Sequence, residues 1–419
     1  MRSILQKRSL RFVFLANMVS MLGSGMNSAA VIWYILRATG SEEALGALVV
    51  LQTLPSMFML PFTGVIIDRE DRRRLVMLLD LCRALVILVV ALLAFAGRVQ
   101  VWQLYAMNIL VAAGFWMFWP TVTALIQELT PNSEFVHSNT FLLAGVQGGW
   151  LLAGALVGFV YNHIGLGGVL LIDVSTYVVS FSCYFAVRKG RHVVQPRHAS
   201  SAATAAGALS RYLHEMREGF EYLRGSRFVV LLGTTWAFWL GAMLSAGVIV
   251  APLSDRALHA GAVGYGWLNA GWGIGAFFSV FYAPKAIATL GSRRALAVAM
   301  ALLAAATFVV PFTPWIAVAV FLFLLMGSAR GVTGIALSST LMHSVPPHFM
   351  GRVQNTIYFA GTALQVIIGL LAGVVAHRIG LAWAFALIGM LYALGFLASV
   401  WPVDAPVSAA ATAEVTPGD

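Results

Sequence analysis

Only a few charged side chains interrupt the long apolar stretches of this chain, and they are the first candidates for chemistry. Asp173 lies inside one such stretch, with no basic residue near it in the sequence. An ionisable group inside a membrane helix is costly, so it usually has a function or a partner. Because burial favours the uncharged form of a carboxyl group, Asp173 could bind and release a proton. Alternatively, it could form a hydrogen-bonded contact between two helices.

Arg330 stands alone in another apolar stretch, between Gly327 and Gly331. Its planar guanidinium could bind an anionic or carbonyl-rich part of a ligand, and the two glycines leave room for a ligand or a neighbouring helix. Pairing with a distant acid is the alternative. Asp80 and Arg83 are three positions apart and therefore share one helix face. We interpret them as a structural pair, with Asp80 as a second candidate for proton coupling.

Amides and tryptophans in the apolar stretches form a second group of candidates. Large aromatic rings with a few amides suit bulky amphipathic ligands. Tryptophan also concentrates where a membrane meets water, so some of these residues could contact lipid instead. The candidates for substrate binding, besides Arg330, are Asn27, Gln52, Asn108, Trp116, Trp236, Trp239 and Gln365.

These candidate residues are expected to lie on membrane helices. The chain has 419 residues, of which 60% are hydrophobic and 10% charged, whereas about a quarter are charged in a typical soluble protein. A membrane-spanning helix needs about 20 consecutive apolar residues. The sequence predicts an all-α membrane protein with twelve such helices, called span one to span twelve in chain order. They cover residues 11–36, 44–67, 75–96, 101–126, 139–161, 167–187, 228–253, 264–288, 295–312, 315–341, 353–375 and 381–401.

The longest loop divides these spans into two sets of six. We predict an N-terminal six-helix bundle (1–187), a cytoplasmic linker (188–227), a C-terminal six-helix bundle (228–402) and a disordered tail (403–419). Within the linker, Leu213, Met216 and Phe220 fall on one face of residues 209–223. This pattern is typical of an amphipathic helix on a membrane surface, and a plain linker is the alternative.

The two sets of spans are repeats of each other. Asn139-Thr140 and Ile164-Gly165-Leu166 recur as Asn355-Thr356 and Ile379-Gly380-Leu381, 216 and 215 residues later. Since six spans separate the copies, both run in the same direction across the membrane. This indicates two parallel, pseudo-symmetric bundles related by an axis along the membrane normal.

A charged hairpin joins spans two and three. Residues 68–74 are all charged, and four of the seven are arginine. Such a run cannot lie in hydrocarbon, and its basic character predicts the cytoplasmic side of the membrane. The N-terminal segment and the linker are also rich in basic residues, so both termini are predicted to be cytoplasmic. The segment Gly291-Ser-Arg293-Arg294 is a weaker copy of this hairpin in the second half.

The hairpin resembles the signature loop of the major facilitator superfamily, Gly-x-x-x-Asp-Arg/Lys-x-Gly-Arg-Arg. Gly64, Asp68, Arg69, Arg72 and Arg73 match it, and Asp71 replaces the second glycine. The resemblance implies that these five residues form a conformational latch between the two halves. The alternative is that the basic loop only sets the topology.

Other segments resemble the drug-exporter branch that contains macrolide efflux proteins and the enterobactin exporter. They are Ile172-Asp173, Met216-Arg-Glu-Gly-Phe220 and Met350-Gly-Arg-Val353. This likeness extends over essentially the whole chain. It implies the two-bundle fold, a central cavity lined by spans one, four, seven and ten, and an export activity.

Several functions have no support in the sequence. There is no phosphate-binding loop, no metal-ligand spacing and no catalytic constellation, so we expect neither an enzyme nor a cofactor or metal. The net charge of +10 fits basic cytoplasmic loops, and no nucleic-acid partner is expected. The expected partners are a small-molecule substrate, membrane lipids and a proton gradient.

The sequence therefore predicts a secondary active transporter in a bacterial inner membrane, working as a monomer. It would export amphipathic drug- or macrolide-like molecules by alternating access and proton antiport, and so confer antibiotic resistance. One alternative is the export of an anionic metabolite such as a siderophore or a lysolipid. An alternative of another class is a transport-inactive receptor or scaffold.

Overall fold

The computed structural model describes residues 8–130, 135–187 and 205–402. The predicted tail and the start of the linker lie outside these residues, as do the side chains of Gly64, Asp68 and Arg69. Every regular element in the described part is helical. This agrees with the composition, since a helix satisfies its own backbone hydrogen bonds in hydrocarbon.

The first six spans begin with span one (Arg8–Thr39), span two (Glu42–Arg69), span three (Arg72–Phe95) and span four (Val101–Leu129). Spans five and six share the helical stretch Phe135–Ala186, which is interrupted at Gly165, where φ is 65°. These spans are called the N half.

A linker helix, Ala205–Gly225, precedes the second set of spans. Span seven is Arg227–Ser245, extended by Gly247–Pro252 and a π-helical turn, Leu253–Ala257. Span eight is Gly261–Leu290, and span nine is Ser292–Val309 with the short helix Val310–Phe312. Spans ten, eleven and twelve are Ile316–Ser344, Pro347–Arg378 and Leu381–Val400. These spans are called the C half.

The predicted membrane architecture is confirmed. Ten helices of the described part are long and apolar enough to cross a membrane. The helix Glu42–Arg69 and the first limb of Phe135–Ala186 provide the remaining two segments expected from the sequence. The break between spans five and six recurs between spans eleven and twelve, because Gly165 and Gly380 both have a positive φ.

Arginines cap equivalent helix ends in the two halves. Arg73 donates from Nε to the Tyr184 carbonyl oxygen at 2.8 Å, at the end of span six. Arg293 donates from Nε to the Ser399 carbonyl oxygen at 3.1 Å, at the end of span twelve. The last carbonyl groups of a helix lack intrahelical donors and carry a partial negative charge. The weaker copy of the hairpin has therefore kept this contact.

The two halves meet through spans two and eleven and through spans five and eight. We call the side of the charged hairpin the hairpin face, and the other side of the bundle the opposite face. A Cβ atom at Gly46 would lie 2.9 Å from the Gly369 carbonyl oxygen, and one at Gly158 would collide with the Ala262 carbonyl oxygen. These close approaches lie toward the opposite face.

Candidate functional site

Asp173 is fully buried where span six crosses span one. Asn27 Nδ2 donates to its Oδ2 at 2.7 Å, and Thr176 Oγ1 donates to its Oδ1 at 3.3 Å. A side chain at Gly23 of span one would place Cβ 2.5 Å from Asp173 Oδ1, so only glycine permits this approach. Among the described residues, no basic side chain forms an ion pair with Asp173.

The predicted Asp80–Arg83 pair is confirmed. Arg83 Nη2 lies 2.5 Å from Asp80 Oδ1, and the two side chains are 1% and 0% exposed, respectively. Ser180 Oγ of span six donates to the other oxygen of Asp80 at 2.6 Å. The Arg83 guanidinium lies 4.3 Å from the Phe118 ring centroid and 4.5 Å from that of Tyr177. A delocalised cation between two aromatic faces is well stabilised in a dry interior.

Tyr177 brings the two acids into one polar network. Its hydroxyl lies 3.5 Å from Arg83 Nη1 and 2.9 Å from Ser24 Oγ, and it is one helical turn from Asp173. We call the following residues the N-half network: Ser24, Asn27, Asp80, Arg83, Asp173, Thr176, Tyr177 and Ser180. Sequence reasoning missed Ser24, Thr176, Tyr177 and Ser180. The spacing of the last three from Asp173, at three, four and seven residues, is the signal that could have found them.

Most of the N-half candidates for substrate binding have protein partners. Asn27 is bound to Asp173. Gln52 Nε2 donates to Asn108 Oδ1 at 2.8 Å and joins spans two and four. Trp116 is half-buried and packs edge-on against Phe115.

Arg330 has a different environment from Arg83. Its Nε donates to the thioether sulfur of Met243 at 3.1 Å, and its electrostatic neighbour is Tyr392 of span twelve. Within the described residues it forms no ion pair. A Cβ at Gly327 or Gly331 would collide with Trp272 or Ser279 of span eight. The space beside these glycines is therefore filled by a neighbouring helix and not by a ligand.

The remaining C-half candidates are also buried. Trp239 approaches span ten, since a Cβ at Gly334 would lie 3.6 Å from its ring. Trp236 packs at 5.9 Å from the ring of Tyr358 in span eleven. Several buried polar atoms of the C half lack a hydrogen-bond partner: Nε1 of Trp236 and Trp239, Oγ1 of Thr333, Oε1 of Gln365 and the Tyr392 hydroxyl.

The described residues of the hairpin contact their own half. Arg72 Nη1 lies 2.9 Å from Glu128 Oε1 at the end of span four, and Arg73 caps span six. Asp71 caps span three by accepting from the Arg74 amide at 3.1 Å. Gly64 and the side chains of Asp68 and Arg69 lie outside the part that the structure describes. The latch therefore stays a prediction.

The linker helix packs on the start of span eleven. Arg352 Nη1 lies 3.0 Å from Glu218 Oε2, and the rings of Tyr222 and Phe349 stack at 4.9 Å. The side chains of Leu213, Arg217 and Phe220 on this helix are exposed. A helix is thus present where the linker pattern predicted one, and part of its apolar surface is exposed.

Charged residues at the opposite face connect the two halves, and sequence reasoning did not find them. Glu42 is 1% exposed and pairs with both Arg256 and His377, the latter at 3.2 Å. Two more pairs flank it, Arg37–Asp255 at 3.0 Å and Arg378–Glu43 at 3.1 Å. We call these seven residues the opposite-face cluster. Each ion pair has its acid and its base in different halves.

Solved structures that resemble this chain include two transporters. The nucleoside transporter NupG superimposes with a TM-score of 0.73 at 11% identity, covering 94% of this chain and 100% of that one. A mutant of the peptide transporter POT superimposes with a TM-score of 0.72 at 14% identity, covering 93% of both chains. At these identities the likeness shows the fold.

The sequence comparisons agree. The MFS-type transporter YkuC of Bacillus subtilis is 22% identical over 366 residues, 84% of this chain and 82% of the relative. Macrolide efflux protein A of Streptococcus pyogenes is 24% identical over 223 residues, about half of each chain, at 52% and 53%. The sequence model of the Major Facilitator Superfamily matches residues 13–366. The chain is therefore a membrane transporter, not an enzyme, and it belongs to the major facilitator superfamily.

Proposed function

We propose that this protein is a secondary active exporter that moves amphipathic small molecules out of the cytoplasm by alternating access. The observation that carries this proposal is the seal at the opposite face, where close glycine contacts and the opposite-face cluster hold the two halves together. Ion pairs and glycine contacts can separate and re-form as rigid halves rock against each other. The likeness to a macrolide efflux protein favours drug-like substrates.

The orientation follows from charge. Basic residues are favoured on the cytoplasmic side of membrane proteins, so the hairpin face and both termini are assigned to the cytoplasm of a bacterial cell, with the inner membrane as the location. In the state described, the seal then lies on the outer side. A substrate would enter from the cytoplasm and leave after the seal opens.

Proton antiport is the proposed source of energy, with Asp173 as the carrier. Arg83 is already paired with Asp80, so an ionised Asp173 adds one uncompensated negative charge to the N-half network. Binding one proton removes that charge, and the neutral donors Asn27 and Thr176 can hydrogen-bond the carboxyl group in either form. Asp173 would take the proton from the outside and release it to the cytoplasm.

Growth of an expressing strain on a panel of toxic compounds is the first test. Resistance to at least one amphipathic compound is expected, and it should disappear when the proton gradient is dissipated. The active compound is then used in proteoliposomes to measure counterflow. Binding without counterflow would contradict the transporter proposal and favour the receptor or scaffold.

A second candidate is the export of an anionic metabolite, siderophore-like or lysolipid-like. The observation that favours it is Arg330, whose hydrogen-bond partner is a thioether and which has no carboxylate within pairing distance in the described chain. In this case the same proteoliposomes should show counterflow of an acidic compound and none of a cationic drug.

A further inference from the structure

We propose that spans seven and ten form an oxyanion-binding subsite in the C half, which holds a carboxylate or phosphate group of the substrate. Its residues are Trp236, Trp239, Arg330 and Thr333. The physiological role of this subsite rests on the transport function proposed above, whereas binding of an anion to it can be measured separately.

The four side chains lie on facing stripes of the two helices. Trp236, Trp239 and Met243 are spaced by three and four residues, so they share one face of span seven. Arg330, Thr333 and Gly334 share one face of span ten for the same reason. Two contacts join the faces in antiparallel order: Arg330 Nε to Met243 Sδ at 3.1 Å, and the Trp239 ring to Gly334.

Every polar atom that these four residues present can donate a hydrogen bond. An indole Nε1–H and a guanidinium only donate, and a threonine hydroxyl can donate. Among the described residues, the indole nitrogens and the buried Thr333 hydroxyl have no hydrogen-bond partner, and an unpaired buried group costs about 1–3 kcal/mol. A thioether is a weak acceptor for the one guanidinium N–H that it receives. The missing component is therefore a hydrogen-bond acceptor, and an oxyanion would also balance the charge of the Arg330 guanidinium.

In the N half the arginine beside a buried tyrosine has an acidic partner, and in the C half it does not within the described residues. Tyr177 and Tyr392 are 215 residues apart, the interval that separates the repeats of spans six and twelve, and each is the neighbour of a buried or half-buried arginine. In the N half that arginine is neutralised by Asp80. In the C half no acid of the described chain pairs with Arg330, whose hydrogen-bond partner is the Met243 thioether. An anionic ligand would supply the missing counter-charge.

The test uses water-soluble probes that share one ring system and differ in charge. The protein is purified in lipid nanodiscs of phosphatidylcholine and titrated with 1-naphthoate, 1-naphthyl phosphate and 1-naphthylmethylammonium in a calorimeter. Saturable binding of at least one anion is expected, with affinity about tenfold or more above that of the cation. Equal binding of anions and cation would overturn the proposal.

Conservative variants locate the site. Arg330→Gln should abolish selectivity for the anion, and Arg330→Lys should restore only part of it because the planar fork is lost. Thr333→Val removes a donor with little change of shape, and Trp239→Phe removes a donor together with part of the ring system. Each should weaken anion binding several-fold, about what one hydrogen bond to a charged group contributes. If Arg330→Gln does not fold, Trp239→Phe and Thr333→Val still test the proposal. Arg294→Gln, at an exposed position, is the matched control and should change nothing.

A lipid headgroup could supply the same oxyanion. Nanodiscs that contain phosphatidylglycerol distinguish this source, because a bound headgroup would compete with 1-naphthoate and raise its apparent Kd. Anion binding that is lost in the variants supports the subsite even if no counterflow is found, and a failure of transport is thereby separated from a failure of this proposal. Anion binding that survives both Trp239→Phe and Thr333→Val would place it elsewhere and contradict the proposal.

Discussion

At the scale of single residues, Arg83 and Arg330 differ in how their charge is balanced. Arg83 has a carboxylate three positions earlier on the same helix, so spacing alone predicted the pair. The contact of Asp173 with span one could not be predicted in this way. Asn27 is 146 residues away in sequence, and nothing in a local pattern indicates which helices will cross at Gly23.

The first prediction concerns Asp173. Asp173→Asn removes the titratable group but keeps an oxygen that can accept from Asn27, so folding should be preserved. Gradient-driven export should be abolished while downhill exchange continues, because only coupling requires the proton. Both are measured in proteoliposomes with and without an imposed pH gradient. Glu221→Gln, an exposed acid on the linker helix, is the control. Undiminished uphill export by Asp173→Asn would move coupling to Asp80 or to another ion.

The second prediction concerns the Asp80–Arg83 pair. Arg83→Met leaves Asp80 buried with only the Ser180 hydroxyl, and removing one partner of a buried ion pair costs about 3–5 kcal/mol. The free energy of unfolding in detergent should fall accordingly. The double variant Asp80→Leu/Arg83→Met should recover much of this loss, since no charge is then left buried. If the double variant is as unstable as the single one, packing of Arg83 against Phe118 and Tyr177 matters more than its charge.

At the scale of helices, the sequence predicted which segments cross the membrane but not how their ends are held. The run of charges between spans two and three was assigned to a membrane face from its composition. Its structural use is more specific, because Arg73 binds the last carbonyl groups of span six. That contact depends on how span three and span six lie side by side, which hydropathy does not encode. The same holds for Arg293 and span twelve.

The third prediction tests these caps with adjacent residues as controls. Arg73→Ala and Arg293→Ala should each lower the free energy of unfolding by about 0.3–2 kcal/mol, the range for a cation at a helix C-terminus. Arg74→Ala and Arg294→Ala remove the same charge from neighbouring exposed side chains and should have no measurable effect. Thermal unfolding in detergent compares the four variants. If Arg74→Ala lowered the stability as much as Arg73→Ala, or Arg294→Ala as much as Arg293→Ala, the loss would come from net charge and not from capping.

The fourth prediction concerns the linker helix. Arg217 and Glu221 are exposed on it, and the orientation by charge puts them in the cytoplasm. Cysteines at these positions, in a background with Cys82 and Cys183 replaced by alanine, should react with an impermeant maleimide only after the cells are opened. Labelling of either cysteine from outside intact cells would overturn the proposed orientation.

At the scale of the whole molecule, the sequence repeats predicted two parallel halves, and the fold agrees. They did not predict which face would be closed, because the ion pairs of the opposite-face cluster join residues more than 200 positions apart in sequence, such as Glu42 with Arg256. A two-state transporter also has at least two arrangements of these contacts, and one sequence pattern cannot distinguish them. The seal depends on how the two halves pack against each other.

The last prediction concerns Glu42, which is buried and binds Arg256 and His377 of the other half. Glu42 and Arg256 pair only when this face is closed, and Glu42→Gln removes that pairing. The closed state is thereby destabilised, so the equilibrium between closed and open states should shift toward opening at this face. Val49→Cys reports the change, because Val49 is 5% exposed and packs against Gly369. Its reaction with an impermeant maleimide added outside the cells should be accelerated about fivefold or more, which corresponds to a shift of roughly 1 kcal/mol.

Glu43→Gln is the matched control, because the side chains of Glu43 and its partner Arg378 are 37% and 71% exposed. Exposed pairs contribute about 0–1 kcal/mol, so this neighbouring substitution should leave the labelling rate of Val49→Cys nearly unchanged. The same acceleration in both variants would show that loss of negative charge at this face is sufficient. No acceleration in either would mean that the glycine contacts between spans two and eleven and between spans five and eight hold the seal without the ion pairs.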